Sequence, residues 1–223
     1  MSAAAEYEAA RRGAAVAALP RALLAVTGPL RAKFLHGILS NEVEGRRPGQ
    51  GSLAALLDAK GHIQSSMRVL VSADAVWLEL PAERLDAVER LLVHYRVGTP
   101  VRFARPATAV LGLLGPQARD VLERAGATVP EVAPEAHVAT TIASQEAVVG
   151  RASDLPAQGY ALHVAEGSVE AVRAALVTAG ARPIGGATLD SLRIEDGIPW
   201  YGTDVTEANL LHETGLVRLY HSA

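Results

Sequence analysis

Leu189 to Val205 read LDSLRIEDGIPWYGTDV, and this stretch decides how the rest of the chain is interpreted. Apolar residues at its start predict a helix, which Gly197 and Pro199 end because glycine frees the backbone and proline lacks an N–H. Glu195 precedes this stop, and two large aromatic residues follow it. An ionised glutamate only accepts hydrogen bonds, so its natural partner is a planar group with two adjacent N–H donors, either an arginine or a heterocycle such as a pterin or guanine. This interpretation predicts Glu195 sunk beside a flat, aromatic-walled cavity.

Arg193 lies in the same predicted helix, which leaves a second interpretation of Glu195 open. The two side chains would then form a solvated ion pair on the helix surface, as most such pairs do. The chemistry of these residues alone does not decide between a ligand site and a surface pair.

Length and composition place the chain among globular proteins. Its 223 residues suffice for one large domain or two small ones, and the hydrophobic fraction of 49% excludes disorder. No apolar run is long enough to span a membrane. A net charge of −3 gives no broad attraction to nucleic acid, and the absence of cysteine excludes disulfides and thiolate zinc sites. We therefore expect a cytoplasmic protein that needs neither a membrane nor direct contact with nucleic acid.

Two segments of the chain repeat one pattern, in which an apolar strand runs into Gly-Pro and then into a helix. The segments are Leu23–Leu35 and Val110–Leu122, and their glycines, Gly28 and Gly115, lie 87 positions apart (115 − 28). Each is followed by antiparallel strands and a second helix. The pattern predicts an α+β fold of two similar subdomains, residues 1–105 and 106–223.

A predicted hairpin lies inside the first repeat. Ser52–Leu57 and Ile63–Ser72 alternate as strands do, and the turn Asp58–Gly61 between them ends in a glycine suited to a left-handed position. The hairpin favours an antiparallel meander over a doubly wound parallel sheet.

Other catalytic and cofactor motifs are absent from the sequence. It has no phosphate-binding glycine loop and no nucleophile elbow. The seven histidines do not show metal-ligand spacing. The sequence therefore predicts no catalytic residue of its own and no metal site.

Five motifs along the chain occur together in one order. They are Phe34–Leu35, Ser40–Asn41, Asp58–Gly61, Leu114–Ala118 and Asp190–Asp204. This ordered set resembles the folate-binding YgfZ/Iba57 family, which is related to the aminomethyltransferase (T-protein) of the glycine cleavage system. The resemblance implies a GcvT/YgfZ-like folate-binding domain of two interlocked subdomains, with antiparallel sheets and flanking helices.

The resemblance also implies a set of ligand contacts for tetrahydrofolate or a derivative. Glu195 matches the glutamate that the aminomethyltransferases place against the pterin ring, where it would accept from two adjacent N–H groups. Tyr201 and Tyr160 would form walls of the slot, Asn41 would add a polar contact, and Arg193 completes the predicted folate-binding set. Structural alternatives stay open, with Tyr160 as a strand aromatic and Asn41 as the end of a helix.

Two departures from the transferases affect the predicted activity. Their acidic pair after the hairpin corresponds here to Ser65 and Ser66, and a hydroxyl cannot supply a carboxylate's charge. This difference, together with Arg68 on the same strand, favours the YgfZ side and argues against an enzyme. Members of that group also continue into a Lys-Gly-Cys motif and a small β-barrel, which this sequence, ending at Ala223, does not contain.

The leading hypothesis is a folate-binding accessory protein that supports iron–sulfur cluster assembly or repair and linked tRNA modification, with iron–sulfur client or assembly proteins as partners. A second hypothesis is a tetrahydrofolate-dependent aminomethyltransferase or demethylase. A third is an interaction module that keeps the fold without a ligand.

Overall fold

The structure is a computed structural model that describes residues 2–215 and Tyr220. The chain divides into two compact units. Unit 1 comprises Met1–Pro20 and Ala107–Ile198, and unit 2 comprises Arg21–Pro106 and Pro199–Ala223. Residues 1–20 therefore group with the second half of the chain and residues 199–223 with the first, and the two predicted subdomains, 1–105 and 106–223, stay a prediction.

Single helices separate groups of one to three consecutive strands along the described chain, with short 3₁₀ turns between some of them. The helices are α1 (Ala3–Arg12), α2 (Arg31–His36), α3 (Leu85–Tyr95), α4 (Ala118–Arg124), α5 (Val169–Thr178) and α6 (Gly186–Glu195). The strands are β1 (Ala15–Leu19), β2 (Arg21–Thr27), β3 (Gly51–Leu57), β4 (Ile63–Val71), β5 (Ala75–Pro81), β6 (Arg102–Ala104), β7 (Thr108–Leu114), β8 (His137–Ile142), β9 (Gln145–Arg151), β10 (Tyr160–Ala165) and β11 (Arg182–Pro183).

The two units contain sheets of the same design, which confirms the predicted duplication. Unit 2 has the order β3-β4-β5-β2-β6, and unit 1 has the matching order β8-β9-β10-β7-β1, with β11 added at the edge. Neighbouring strands are antiparallel, except that β11 runs parallel to β1. The fold is therefore α+β with antiparallel sheets, as the sequence predicts.

Two strands, β1 and β6, pair with the repeat that does not directly follow them in the chain. β1 ends just before the first repeat but pairs with β7 of the second, and β6 ends just before the second repeat but pairs with β2 of the first. Each unit therefore takes one sheet strand from the segment that precedes the other repeat. Strand pairings between distant segments leave no local signal, so the sequence did not indicate this exchange.

The glycine of each Gly-Pro repeat is fixed by a close approach of backbone. Gly28 and Gly115 have φ angles of 112° and 102°, which side chains rarely adopt. A Cβ atom on Gly28 would lie 2.2 Å from the carbonyl oxygen of Pro100, and one on Gly115 would lie 2.5 Å from that of Gly13. The repeated glycines therefore serve the same purpose in both units.

Each unit has its own hydrophobic core, formed between its sheet and its helices. In unit 2, Val88 and Leu92 of α3 are fully buried, and in unit 1 Val172 and Leu176 of α5 are fully buried. Residues four apart lie on one face of a helix, so each pair points its helix toward the sheet.

The predicted hairpin is present between β3 and β4. Asp58 Oδ1 accepts hydrogen bonds from the backbone N–H of Lys60 at 2.8 Å and of His62 at 2.9 Å, and Gly61 has a φ of 87°. The N–H of His62 is the main reason why the pKa of Asp58 lies below its ordinary value. An ionised aspartate thus closes the turn, and Gly61 adopts the left-handed backbone conformation without the steric cost of a side chain.

A buried ion pair crosses the sheet of unit 2. Arg68 and Glu79 are both fully buried, with Arg68 Nη1 at 2.5 Å from Glu79 Oε2, and Arg21 Nη1 lies 3.5 Å from Glu79 Oε1. Buried charges require such pairing because leaving water costs several kcal/mol for each ion. Arg68 therefore has a structural role here.

Candidate functional site

α6 ends at Glu195, where the sequence predicts the end of the helix. Leu189 and Leu192 are buried, whereas Ile194 is 59% exposed and does not belong to the apolar face. Gly197 has a φ of 67°, and its N–H bonds to the carbonyl oxygen of Ile194 at 3.1 Å. The glycine therefore terminates α6 in the left-handed conformation that commonly ends helices.

Glu195 is held by two residues of α1. The Tyr7 hydroxyl donates to Glu195 Oε2 at 2.7 Å, and Arg11 Nη2 donates to the same oxygen at 2.5 Å. Arg11 Nη1 also bonds Asp196 Oδ1 at 2.9 Å, so one guanidinium joins both carboxylates. The side chain of Glu195 is 49% exposed, and the prediction that it is sunk in the protein is therefore wrong.

The two oxygens of Glu195 have different surroundings. Oε2 already accepts from Tyr7 and Arg11, which uses the capacity of that atom. No donor from the described part of the chain reaches Oε1. The two-point contact predicted for Glu195 stays a prediction, and Oε1 is the oxygen that can receive N–H groups from outside.

Glu195 is ionised in this arrangement. The Tyr7 hydroxyl, followed by the Arg11 guanidinium, holds the pKa of Glu195 below its ordinary value, while the charge of Asp196 acts in the opposite direction. In return, the pKa of Arg11 is raised, chiefly by its bond to Glu195. The group that α1 fixes is consequently a carboxylate, which accepts hydrogen bonds and does not donate them.

α1 also holds the opposite end of α6. Glu6 Oε2 accepts from the N–H of Gly185 at 2.8 Å and from the Thr188 hydroxyl at 2.8 Å. Gly185 is the N-cap of α6, and Glu6 accepts its backbone N–H, the group that a glutamate at the third helical position accepts in a capping box. These two bonds also hold the pKa of Glu6 below its ordinary value.

Arg193 does not pair with Glu195, so the surface-pair interpretation is wrong. Arg193 is 2% exposed, its Nε lies 2.7 Å from Asp190 Oδ1, and its Nη1 donates to the carbonyl oxygen of Ile198 at 3.3 Å. The guanidinium ties the end of α6 to the residues that follow it. Its predicted contact with folate stays a prediction.

Tyr201 lies in unit 2, fixed on its hydroxyl and on one face of its ring. The hydroxyl donates to Glu207 Oε2 at 3.0 Å and lies 3.3 Å from the carbonyl oxygen of Ile63. The Arg84 guanidinium stands 5.0 Å from the ring centre, a cation–π distance. Burial, followed by the bond to Glu207, raises the pKa of Tyr201 to about 12.

A small pocket of about 20 Å³, partly open to solvent and large enough for about one water molecule, adjoins Tyr201 within unit 2. Its walls are mostly apolar and include Ala55, Ile63, Val205 and Leu211, with the Ser66 side chain among them. No hydrogen bond joins the Ser66 hydroxyl to another described residue. The pocket thus presents an aromatic wall and a hydroxyl, and Ser66 is one of the two serines at the position of the transferases' acidic pair.

Tyr160 and Asn41 have structural roles. Tyr160 is 5% exposed and packs in the core of unit 1, with Arg151 at 5.9 Å from its ring centre. Asn41 is 9% exposed, its amide donates to the carbonyl oxygen of Leu53 at 2.8 Å, and its own oxygen accepts from the N–H of Glu42 at 2.8 Å. Tyr160 is a strand aromatic, as its structural alternative predicts, whereas the alternative for Asn41 is wrong because α2 ends at His36. The predicted ligand contacts of both residues stay predictions.

The sequence interpretation missed the partners of Glu195 and Tyr201. Tyr7 and Arg11 are 188 and 184 positions from Glu195, and no local pattern reveals such a distance. The available signal is that Tyr7 and Arg11 lie four apart in an alanine-rich stretch, which favours a helix with both residues on one face. Arg84 and Glu207 around Tyr201 carry no comparable signal.

The part of the chain that the structure describes contains no candidate metal-binding cluster and no helix able to span a membrane. No group of three histidine, aspartate or glutamate side chains is close enough there to hold a metal ion. None of the helices in that part has the length and apolar character needed to cross a membrane.

Comparison with known proteins assigns the fold. The family model described as the GCVT N-terminal domain matches residues 1–222. The aminomethyltransferase of Thermus thermophilus is 27% identical over 190 residues, covering 82% of this chain and 53% of that protein. The aminomethyltransferase of Streptomyces coelicolor is 27% identical over 204 residues, covering 88% of this chain and 55% of that protein. The chain spans about half the length of these curated relatives.

A solved structure gives the same result for the backbone. The glycine cleavage system aminomethyltransferase T from Bartonella henselae superposes with a TM-score of 0.85 at 23% identity, covering 94% of this chain and 58% of that one. The predicted GcvT-like fold is thereby confirmed. The assignment to the YgfZ/Iba57 branch stays a prediction.

Proposed function

Because the chain belongs to the GCVT N-terminal domain family, we propose that it binds tetrahydrofolate or a derivative. The resemblance of its motifs to folate-binding proteins supports the ligand class. The observation on which the proposal rests is the carboxylate of Glu195, ionised and fixed by α1, with Oε1 open to a donor from outside.

Glu195 suits one edge of a reduced pterin ring. That edge carries an exocyclic amino group beside a ring N–H, and both are donors. An ionised carboxylate oxygen has two lone pairs, so Oε1 alone offers two acceptor positions. A charge-assisted hydrogen bond of this kind is about twice as strong as one between neutral groups.

Within unit 2, the ligand contact predicted for Tyr201 is a separate proposal, supported by the small pocket beside its ring. An aromatic wall favours a flat or apolar part of a ligand, and the hydrogen bond to Glu207 and the Arg84 guanidinium near the ring centre keep the ring in place. We propose no ligand contact for Tyr160, Asn41 or Arg193 beyond the prediction from sequence, because their polar or aromatic groups are already used inside the protein.

The absence of a carboxylate at Ser65 and Ser66 bears on whether binding leads to catalysis. Ser65 is fully buried and its hydroxyl donates to the carbonyl oxygen of Ser66, while Ser66 faces the pocket. Neither side chain can hold a negative charge beside a cationic transition state. We therefore propose that the protein binds folate without the carboxylate-dependent chemistry of an aminomethyltransferase.

Two finer functions follow from this difference. The first, a cytoplasmic accessory role in iron–sulfur cluster assembly or repair with linked tRNA modification, is supported by the resemblance and by the neutral serines. The second, a one-carbon enzyme, is supported by the curated relatives, which are named aminomethyltransferases. Incubation with tetrahydrofolate and an aminomethyl or N-methyl amine separates them, because turnover supports only the second.

Anaerobic calorimetric titration with tetrahydrofolate tests the binding proposal. We expect saturable binding by the wild type and affinity at least about tenfold weaker in Glu195→Ala, the scale of one charged hydrogen bond. Glu170→Gln is the matched control, because that carboxylate is 78% exposed and pairs, among the residues that the structure describes, only with Arg173 on its own helix. A wild type that gives no heat and no fluorescence change would leave only the ligand-free module.

A further inference from the structure

Two contacts between α1 and α6 differ in what they do for Glu195. At the start of α6, Glu6 receives bonds from Gly185 and Thr188 and serves as a cap. At the end of α6, Tyr7 and Arg11 converge on a single oxygen of Glu195. Glu6 Oε2 also receives two donors, but there α1 supplies the carboxylate, whereas at the end of α6 the helix α1 supplies both donors and the carboxylate belongs to Glu195.

The side chains of Tyr7 and Arg11 form one rigid donor group. They lie four positions apart on one face of α1, and the Arg11 guanidinium is 5.6 Å from the centre of the Tyr7 ring. Arg11 is further fixed by its second bond, to Asp196. The rotation of the Glu195 carboxylate is therefore restricted, because moving Oε2 would break both bonds.

Fixing Oε2 also determines the direction of Oε1. The two oxygens share one plane, so a carboxylate that is held through one of them presents the other at a set angle. An acceptor that is already oriented needs less ordering when a donor arrives, which favours affinity.

We infer that Tyr7 and Arg11 are positioning residues, which orient the Glu195 carboxylate so that Oε1 accepts the N–H groups of the heterocycle. This inference rests on the proposed function. It assigns to α1 a share in ligand recognition that acts through Glu195 and involves no contact of α1 with the ligand.

The inference predicts a specific pH dependence of binding. The groups facing the carboxylate are Tyr7 and Arg11 from α1 and Asp196 at the end of α6. Binding requires ionised Glu195 and is lost as the pH falls through the pKa of Glu195. Removing the Tyr7 hydroxyl raises that pKa, so Tyr7→Phe should lose affinity at a higher pH than the wild type does.

The experiment compares tetrahydrofolate affinity across pH for the wild type, Tyr7→Phe and Glu6→Gln. Tyr7→Phe keeps the ring and removes one donor, so we expect affinity about two- to tenfold weaker at pH 7, the scale of one hydrogen bond. Its pH profile should shift upward. Glu6→Gln disturbs only the cap at the other end of α6, so we expect affinity within about twofold of the wild type and an unshifted profile.

Each outcome has a distinct meaning. Equal affinity and an equal pH profile in Tyr7→Phe, with binding still lost in Glu195→Ala, overturn the positioning inference and leave the proposed function intact. Equal weakening in Glu6→Gln and Tyr7→Phe also overturns it, because both changes would then act only by loosening α1. A wild type that binds no tetrahydrofolate overturns both proposals.

Discussion

Glu79 offers the sharpest test of how unit 2 is held together. Its carboxylate is fully buried and faces two arginines, Arg68, also fully buried, and Arg21, whose side chain is 10% exposed. Glu79→Gln keeps the size of the side chain and one acceptor oxygen while removing the negative charge that faces both arginines. Both guanidinium groups would then lie beside a neutral amide in place of a carboxylate.

The expected loss of stability follows from this geometry. Removing one partner of a buried ion pair costs about 3–5 kcal/mol, since the other charge stays away from water without compensation. Total stabilities are about 5–15 kcal/mol, so the change removes a large share. With a slope of about 2 kcal/mol per M in urea, the unfolding midpoint should fall by about 2 M.

Urea unfolding followed by circular dichroism measures this effect. Glu89→Gln is the control, because Glu89 pairs with Arg105, which is 44% exposed, and water screens that pair. We expect the midpoint of the control to stay in place. Adding Arg68→Met to Glu79→Gln should restore part of the loss, since it removes one of the two stranded cations. A midpoint for Glu79→Gln within about 0.5 M of the wild type would refute this reasoning.

Two further predictions concern single residues. Gly115→Ala should destabilise the fold by more than Gly126→Ala does. Both glycines have positive φ angles, but only at Gly115 would an added Cβ atom collide with backbone atoms. Chemical denaturation of the two variants compares their free energies of unfolding. Equal losses would contradict the close approach. The Tyr201 hydroxyl should ionise only near pH 12. Glu207→Gln should lower the pKa of Tyr201, because a neutral amide does not repel the phenolate as the carboxylate does. Ultraviolet titration, with Tyr201→Phe as the reference that lacks this hydroxyl, measures the pKa in the wild type and in the variant. An unchanged pKa in the variant would show that Glu207 contributes nothing.

Local features of the fold could be predicted from the sequence. The Gly-Pro repeats at Gly28 and Gly115, the turn at Asp58–Gly61 and the end of α6 all depend on backbone conformations that a glycine or proline dictates nearby. The hydrophobic spacing of α3 and α5 is local as well. These elements are therefore found where they are predicted.

Features that depend on distant partners could not be predicted. The exchange of β1 and β6 between the repeats arises from strand pairing across most of the chain. The exposure of Glu195 and its attachment to Tyr7 likewise depend on how α1 packs. Arg193, which looked like a surface residue beside Glu195, is buried because Asp190, one helical turn earlier, satisfies its charge.

The central claim is that the open oxygen of Glu195 receives a folate ligand. Calorimetric titration of the wild type and of Glu195→Ala with tetrahydrofolate, under identical conditions, tests it most directly. We predict saturable binding by the wild type and affinity at least about tenfold weaker in the variant, with unchanged unfolding behaviour. Equal affinities for the two proteins would contradict the claim, because the carboxylate would then have no share in holding the ligand.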